Sequence, residues 1–307
     1  MVKPLQDLVA IGLDLGGTNI KLAVLGAGEP PAILDTEVHP TPATKAPEAV
    51  VERLTEIASE RIGIHGPSAI GIGVPGQFDL TTGTVRELPN LTRGWQGFGL
   101  HAALEANLGS PVVLINDAQA STLAEATLGA ARGYSTVQGV ALGTGIGGGL
   151  IVDGRLHRGA HGSAGEVGHQ VIQADGPDVC SCGNRGCLES LAKAAVLAEH
   201  AGRSSAEAVF EAAEAGDERA MSAIETIADY LGVGLANVIT IVDPDIIVIG
   251  GGLSAAGDLL LDPIRRAVAR HLRVVPAEDV HIAQGTLGIT AGAVGTALAA
   301  METATAK

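Results

Sequence analysis

The sequence is poor in aromatic and basic side chains. Phe, Trp and Tyr make up 2% of its 307 residues, and 19 Lys and Arg stand against 34 Asp and Glu, for a formal net charge of -15 at pH 7. Such a charge repels polyanions at long range, and few rings are present on which bases could stack. These two scarcities exclude nucleic acid as an expected partner.

Cysteine and long apolar runs are scarce as well. The three cysteines all fall between Cys180 and Cys187, and an odd number so closely spaced does not form a disulfide framework. The longest apolar stretch, Leu231 to Leu253, is interrupted by Asp243-Pro244-Asp245, and no signal-peptide pattern opens the chain. We expect a cytoplasmic protein that has no membrane segment.

Aliphatic residues and glycine are plentiful instead. Hydrophobic residues make up 46% of the chain, which also has 43 glycines, and its length favours two domains. Strand-like runs at 8–13, 19–25 and 112–115 alternate with a helical pattern at 47–61, which is typical of an α/β fold. A second arrangement of strand, glycine turn and strand at 140–152 repeats the first. The sequence therefore predicts two similar lobes facing a cleft, with a boundary just after Asn116-Asp117.

Three glycine-rich turns directly follow apolar strands. They contain Asp14, Gly16, Gly17, Thr18 and Lys21; Gly143, Thr144 and Gly145; and Gly250, Gly251 and Gly252. Backbone N–H groups in such turns bind phosphate, a hydroxyl and a lysine add donors, and an acid at the strand end suits a divalent cation. The set predicts a magnesium nucleotide clasped between the lobes, and the alternative is plain hairpin turns with exposed charges. No P-loop pattern is present, and GTGIGGG leads into a strand, which disfavours Walker-type and Rossmann folds.

An Asn-Asp pair, Asn116 and Asp117, follows the buried strand 112–115 and precedes an alanine-rich helical run. Side chains in this position lie at the edge of an α/β sheet that opens toward ligands. The structural alternative is that Asp117 caps the helix and Asn116 forms the turn. The pair alone leaves both interpretations open.

The cysteines form the pattern C-x-C-x₄-C, and His169 precedes Cys180 by eleven positions. Three thiolates and one imidazole make a tetrahedral set suited to zinc. Because four protein ligands fill the coordination sphere, the metal is expected to be structural rather than catalytic. Its predicted ligands are His169, Cys180, Cys182 and Cys187. The alternative is a group of buried free thiols.

Taken in order, the motifs resemble the ROK sugar kinases of the actin-like ATPase superfamily, and among them the glucokinase-like members. The motifs are DLGGTNIK (14–21), GVPG (73–76), PNL…W (89–95), NDA (116–118), LGTGIGGG (142–149), GEVGH (165–169), CSCGNRGCLE (180–189) and IGGG (249–252). Together they extend from about residue 10 to about residue 290. NDAQA at 116–120 departs from the family's commoner NDANA, which leaves Gln119 as a modifier of the helix start.

The resemblance implies two ribonuclease-H-like lobes around a central cleft that binds ATP and a sugar. With it we expect a small lobe of residues 1–117 and about 288–307, and a large lobe of 118–287 with the zinc loop. It implies that Asp117 is the catalytic base, which takes the proton of the primary hydroxyl late in phosphoryl transfer. The residues that it nominates for the sugar are Asn90, Asn116, Asp117, Glu166, His169 and Glu189. Without it, Asn90 is a turn residue and the two glutamates are surface charges.

The expected function is phosphorylation of glucose by ATP, with Mg²⁺ and structural Zn²⁺ as cofactors and a homodimer as the assembly. Mannose, fructose, N-acetylmannosamine and N-acetylglucosamine stay open as acceptors, and polyphosphate as donor. The alternative from another class is a sugar-responsive transcriptional regulator. Such family members carry an N-terminal helix-turn-helix segment, whereas seven residues precede the first expected strand here.

Overall fold

The structure, a computed structural model, describes residues 8–66, 69–89, 91, 94–176 and 179–305. Its strands are β1 (Val9–Leu15), β2 (Asn19–Gly26), β3 (Ala32–Pro40), β4 (Ala69–Val74), β5 (Gln77–Phe78), β6 (Val85–Glu87), β7 (Val112–Asn116), β8 (Val137–Leu142), β9 (Ile146–Val152), β10 (Arg155–Leu156), β11 (Ile246–Gly250) and β12 (Ile282–Gln284). Its α-helices are α1 (Pro47–His65), α2 (Leu100–Leu108), α3 (Asp117–Thr127), α4 (Leu188–Ala192), α5 (Ala194–Ala201), α6 (Ala206–Glu214), α7 (Glu218–Val242), α8 (Asp258–His271) and α9 (Ala291–Thr305).

The chain forms two compact units. The first comprises Met1–Leu128, Gly159–Gly162 and Ile289–Lys307, and the second comprises Gly129–Arg158 and Ser163–Gly288. The first unit continues past Asp117 because α3 packs on α9, the helix near the end of the chain. The short segment Gly159–Gly162 joins the first unit although the residues on both sides of it belong to the second.

Each unit contains a five-stranded sheet, and the two sheets have the same topology. Their strand orders are β3-β2-β1-β4-β7 and β10-β9-β8-β11-β12. In each sheet the first strand pairs antiparallel with the second and parallel with the fourth in chain order, and the fifth is parallel again. The repeat of strand, glycine turn and strand seen in the sequence is therefore a repeat of a whole sheet.

Helices cover both faces of the first sheet. Leu54 of α1 and Leu100 of α2 are fully buried against one face, and α9 packs on β1 and β4 from the other. Glycine makes this second contact close: a Cβ on Gly12 would lie 2.2 Å from the carbonyl oxygen of Ala293, and one on Gly71 would lie 2.3 Å from that of Thr296. Each fully buried leucine contributes about 2 kcal/mol to the burial free energy that holds the layers together.

The second unit is built around α7, which packs on α8 and contributes Ile227, Leu231 and Leu235 to a core where all three are fully buried. Among the described residues, α7 is the one helix long and apolar enough to span a membrane, with a mean hydropathy of 1.3 over its most apolar window. However, 56% of that window is buried inside the protein. Its apolar residues are those of a core helix, which explains the long apolar stretch in the sequence.

Candidate functional site

The carboxyl ends of three parallel strands meet at one edge of the first sheet. In the strand register, Asp14 at the end of β1 pairs with Gly73 of β4, and Val74 of β4 pairs with Asn116 at the end of β7. Because neighbouring strands lie about 4.8 Å apart, the ends of β1 and β7 are separated by about 10 Å. The sheet therefore places the acid of the first glycine turn and the Asn116-Asp117 pair along the same edge.

Asp14 is a buried carboxylate with one charged neighbour. Its side chain forms an ion pair of 3.3 Å with Lys21, which lies opposite it across the β1–β2 hairpin, and burial raises its pKa above the usual 3.8. A Cβ on Gly292 of α9 would lie 2.5 Å from Asp14 Oδ2, so a glycine there leaves the carboxylate its space. A buried hard oxygen ligand beside a glycine turn fits Mg²⁺, which takes one or two carboxylates and completes its shell with phosphate and water.

We expect the Asp14→Asn variant to gain thermal stability, and to gain more of it at neutral than at acidic pH. Because burial raises the pKa of Asp14, its ionisation disfavours the native state, and this cost grows as the pH rises from about 4 through the raised pKa. Asparagine does not ionise and escapes that cost. Melting temperatures of both proteins between pH 4.5 and 8 measure the effect. If the melting temperatures of the two proteins change in parallel with pH, the ionisation of Asp14 does not affect stability.

The first glycine turn is held in place by Thr41, which follows β3. The Thr41 hydroxyl donates to the carbonyl oxygen of Gly16 at 2.8 Å, and its backbone N–H donates to that of Thr18 at 2.9 Å. With these carbonyls occupied, the turn keeps one conformation, and the hydroxyl-bearing Thr18 stays exposed. No sequence pattern predicts this contact, because Thr41 becomes a neighbour of the turn only through the β2–β3 pairing.

Thr41→Val is expected to raise the KM for the nucleotide about fivefold and to leave the KM for the sugar unchanged. The variant loses the hydroxyl donor to Gly16 but keeps its shape and its backbone bond, and one hydrogen bond contributes about 1 kcal/mol, or roughly fivefold in affinity. Steady-state kinetics with each substrate varied in turn make the comparison. Thr41→Ser retains the hydroxyl and serves as the control. An unchanged nucleotide KM in the valine variant would remove Thr41 from the site.

Asn116, rather than Asp117, is the N-cap of α3. Its side-chain Oδ1 accepts from the backbone N–H groups of Ala118 and Gln119, both at 3.0 Å, and its Nδ2 donates to the carbonyl oxygen of Gly76 at 3.3 Å. The alternative in which Asp117 is the cap and Asn116 only forms the turn is therefore wrong, although Asp117 Oδ1 also accepts from the backbone N–H of Ala118 at 2.8 Å. Asp117 is the first residue of the helix, where the helix dipole favours a negative charge, and its side chain is half-buried.

The two glycine turns of the second unit lie side by side. Strands β8 and β11 are parallel neighbours, and a Cβ on Gly251 would lie 2.3 Å from the carbonyl oxygen of Leu142, the last residue of β8. Gly251 also has φ +83°, a conformation that side chains rarely adopt. Thr144 and Gly251 are exposed, so both turns reach the surface of this unit. The residues predicted for the nucleotide in this half, 143–145 and 250–252, thus form one surface.

The predicted zinc ligands come together in the second unit. The ligand atoms of His169, Cys180, Cys182 and Cys187 all lie within 4.8 Å of one another. Cys182 Sγ and Cys187 Sγ are 3.7 Å apart, and Cys180 Sγ lies 3.6 Å from His169 Nδ1. Tetrahedral zinc separates two sulfurs by about 3.8 Å, and a sulfur and a nitrogen by about 3.6 Å. The donor set and its spacing therefore fit Zn²⁺, with Nε2 of the histidine left for another partner.

Three of the residues nominated for the sugar, Glu166, His169 and Glu189, are neighbours beside this cluster. Burial raises the pKa of Glu166, the neighbouring His169 lowers it, and the negative charge of Glu189 raises it further. Glu189 also accepts a hydrogen bond of 2.9 Å from the backbone N–H of Ile146, directly after the glycine turn 143–145. This carboxylate therefore connects the cysteine loop to that turn.

The other nominated residues are Asn116 and Asp117, which lie in the first unit, and Asn90, which lies outside the described residues. Sequence reasoning missed Gln138, a polar residue buried in β8. Its amide donates to the carbonyl oxygens of Gly139 and Gly149 at 2.8 and 3.0 Å, which supports the strands on both sides of the turn. A polar residue within the apolar run 137–142 is the signal that could have identified it.

Comparison with known proteins extends over nearly the whole chain. The family model described as the ROK family matches residues 10–303. A glucokinase of Halalkalibacterium halodurans is 35% identical over 95% of this chain and 94% of its own length. The crystal structure of a ROK hexokinase from Thermus thermophilus has a TM-score of 0.83 at 36% identity, covering 98% of this chain and 100% of that one. A ROK family glucokinase from Streptomyces griseus in complex with glucose and AMPPNP has a TM-score of 0.80 at 33% identity, covering 94% and 98%.

The duplicated five-stranded sheet and these neighbours define a kinase of the actin-like ATPase fold, in which each unit is a ribonuclease-H-like lobe. The class expected from the motifs is confirmed. Within this class, the chain belongs to the ROK family.

Proposed function

We propose that the protein is an ATP-dependent hexokinase that phosphorylates the primary hydroxyl of glucose. The observation that carries this proposal is the shared sheet edge. The buried acid Asp14 lies near the end of β1, and the helix-initiating acid Asp117 directly follows β7, which is separated from β1 only by β4. One acid suits a metal-bound phosphate and the other suits an acceptor hydroxyl. The resemblance to glucokinases over almost the full length supports glucose as the acceptor.

The donor phosphates are assigned to the glycine turns. The backbone N–H of Gly17, the Thr18 hydroxyl and the Lys21 ammonium group supply donors in the first unit, where the N–H of Gly16 closes the turn by donating to the carbonyl oxygen of Asn19. The turns 143–145 and 250–252 supply donors in the second unit, where the N–H of Gly143 closes its turn onto the carbonyl oxygen of Gly145. Asp14 is the residue that would hold Mg²⁺, which supplies charge neutralisation for the phosphates when bound. Since these donors are fixed before binding, they stabilise the developing charge without reorganisation.

The acceptor is assigned to Asp117 and to the group formed by Glu166, His169 and Glu189, with Asn116 and Asn90 as further hydrogen-bonding residues. Carboxylates and amides discriminate sugar hydroxyls because a missing hydroxyl leaves them unpaired. As the bond between the sugar oxygen and the terminal phosphorus forms, the bond to the bridging oxygen breaks and ADP leaves. Asp117 takes the hydroxyl proton late in this step, because an ordinary carboxylate is too weak a base to remove it in advance.

The cysteine cluster is assigned a structural role. His169, Cys180, Cys182 and Cys187 would hold Zn²⁺ and leave no coordination position for a water molecule. With Nδ1 toward the sulfurs, Nε2 of His169 can bind a sugar hydroxyl, and the loop fixes Glu189 two residues after Cys187. The zinc site thereby shapes the sugar site without taking part in the chemistry.

An ADP-release assay over a panel of sugars tests the proposal. Glucose, mannose, fructose, N-acetylmannosamine and N-acetylglucosamine are each supplied with ATP, and then with polyphosphate. We expect ATP-dependent turnover with the highest kcat/KM for glucose. Turnover with polyphosphate alone would change the donor, and a higher kcat/KM for another sugar would change the acceptor. Sugar binding without any turnover would point to a regulator instead of an enzyme.

Compartment and assembly are proposals as well. The three cysteines are close together and none of them is in a disulfide, which suits a reducing compartment, and we infer a cytoplasmic protein. A homodimer rests on the family resemblance alone. Light scattering during size-exclusion chromatography determines the assembly directly.

A further inference from the structure

The segment Gly159–Gly162 is a small closed loop that precedes the sugar-binding group along the chain. The backbone N–H of Ala164 donates to the carbonyl oxygen of Arg158 at 3.2 Å and closes the loop at its base. The loop itself belongs to the first unit, while Arg158 and Ser163 on either side belong to the second. Glu166 follows only four residues after Gly162.

Gln119 holds this loop from the first unit. Its Nε2 donates to the carbonyl oxygen of Gly162 at 2.9 Å, and its side chain is 2% exposed. Leu80 lies on the same glycine, because a Cβ added to Gly162 would be 3.2 Å from Leu80 Cδ2. Loss of this donor removes a hydrogen bond from a partly buried carbonyl, whereas truncation of the exposed Leu80 removes only a van der Waals contact, so the loop depends more on the amide.

The position of Gln119 on α3 separates it from the reacting groups. It stands two residues after Asp117, and residues two apart on a helix do not face each other. Its backbone N–H is bonded to the N-cap side chain of Asn116 at 3.0 Å, which fixes where its side chain begins. Gln119 is thus rigidly placed beside the catalytic pair while its amide holds a different segment.

We propose that Gln119 is a positioning residue for sugar binding: by holding the Gly159–Gly162 loop, it fixes the start of the segment that carries Glu166 and His169. This inference rests on the proposed function. The commoner NDANA motif has asparagine at this position, whereas this chain has Gln119. The amide of this longer side chain is the group that bonds to Gly162, which gives the departure from the motif a role.

Gln119→Met tests the proposal, because methionine has a similar length and flexibility but no donor. We expect the glucose KM to rise about tenfold while the ATP KM stays within twofold. Hydrogen exchange of the backbone amides between Gly159 and Ala164 should become at least tenfold faster. Thr122→Val is the matched control: Thr122 is a buried polar residue of the same helix whose hydroxyl bonds only within α3 in the described contacts, to the carbonyl oxygen of Ala118. That control should leave both KM values and the loop exchange unchanged.

Leu80→Ala is a second variant for the case in which Gln119→Met does not fold. Leu80 is 45% exposed, so its truncation spares the core, and it should raise the glucose KM by a smaller factor in the same direction. Faster hydrogen exchange of the loop with an unchanged glucose KM would overturn the inference. An equal rise in the KM for glucose and the KM for ATP would overturn it as well. If the unmodified protein phosphorylates no hexose, the proposed function fails and this inference with it. If the unmodified protein is active and the Gln119→Met variant keeps its glucose KM, the inference fails while the proposed function stands.

Discussion

Asp117→Asn is expected to lower kcat by about 10² or more and to leave the melting temperature and the KM for ATP nearly unchanged. Asparagine keeps the size and hydrogen-bonding reach of the side chain, and the helix keeps its cap because Asn116 supplies it. What is lost is the carboxylate that we propose accepts the proton of the sugar hydroxyl. Steady-state kinetics with glucose and ATP, together with a thermal melt, measure the effect.

Asp258→Asn is the matched control for that experiment. Asp258 also lies in the first turn of a helix, α8, and its side chain is 79% exposed. The same substitution there changes the same kind of local electrostatic interaction but touches no residue assigned to the substrates, so kcat should not change. A folded Asp117→Asn protein with nearly normal kcat would exclude Asp117 as the base.

Removal of the proposed zinc ion is expected to weaken sugar binding at least tenfold and nucleotide binding by a smaller factor. The cluster joins His169 to the loop that carries Glu189, so two of the three residues proposed for the sugar would lose their support without the metal. The Gly250–Gly252 turn follows a different strand, β11, and keeps its position, so nucleotide binding is weakened only through Glu189, which bonds to Ile146 after the turn 143–145. Titration calorimetry with glucose and with AMPPNP compares the metal-free and the zinc-loaded protein.

Cys182→Ser gives the same test without a chelator. Cys182 is the exposed member of the cluster, so the substitution removes one ligand and leaves the two buried cysteines packed as before. Elemental analysis should find one zinc per chain in the unmodified protein, and added Zn²⁺ but not Mg²⁺ should restore sugar binding after chelation. Unchanged glucose affinity in metal-free protein would contradict the coupling between the two sites.

The sequence was most informative where chain order alone determines structure. The glycine turns, the zinc ligands and the repeat of strand, turn and strand are local patterns, and the structure contains each of them. It was least informative at β3, where Asp35, Glu37 and His39 occupy the alternate positions that lie toward α1. They form ion pairs there with Arg61 and a hydrogen bond with Arg53. A strand whose inward residues are charged lacks the apolar alternation by which strands are recognised.

Contacts between distant parts of the chain could not be predicted either, because a local sequence pattern does not identify a distant partner. Thr41 and Gln119 bond to turns 25 and 43 residues away, and neither residue type predicts such a partner. Asn116 and Asp117 were predicted as a functional pair. Which of the two caps the helix could not be predicted, because either residue type can do so. The backbone geometry decides it: Asn116 is extended with ψ 141°, and Asp117 is already helical.

The central claim, transfer of phosphate from ATP to the primary hydroxyl of glucose, is tested most directly by identifying the product. Phosphorus and carbon NMR of the reaction with ¹³C-labelled glucose and ATP should show one phosphomonoester, on the carbon-6 oxygen, formed in equal amount to ADP. A phosphate on any other hydroxyl, or ADP formed without a sugar phosphate, would contradict the account.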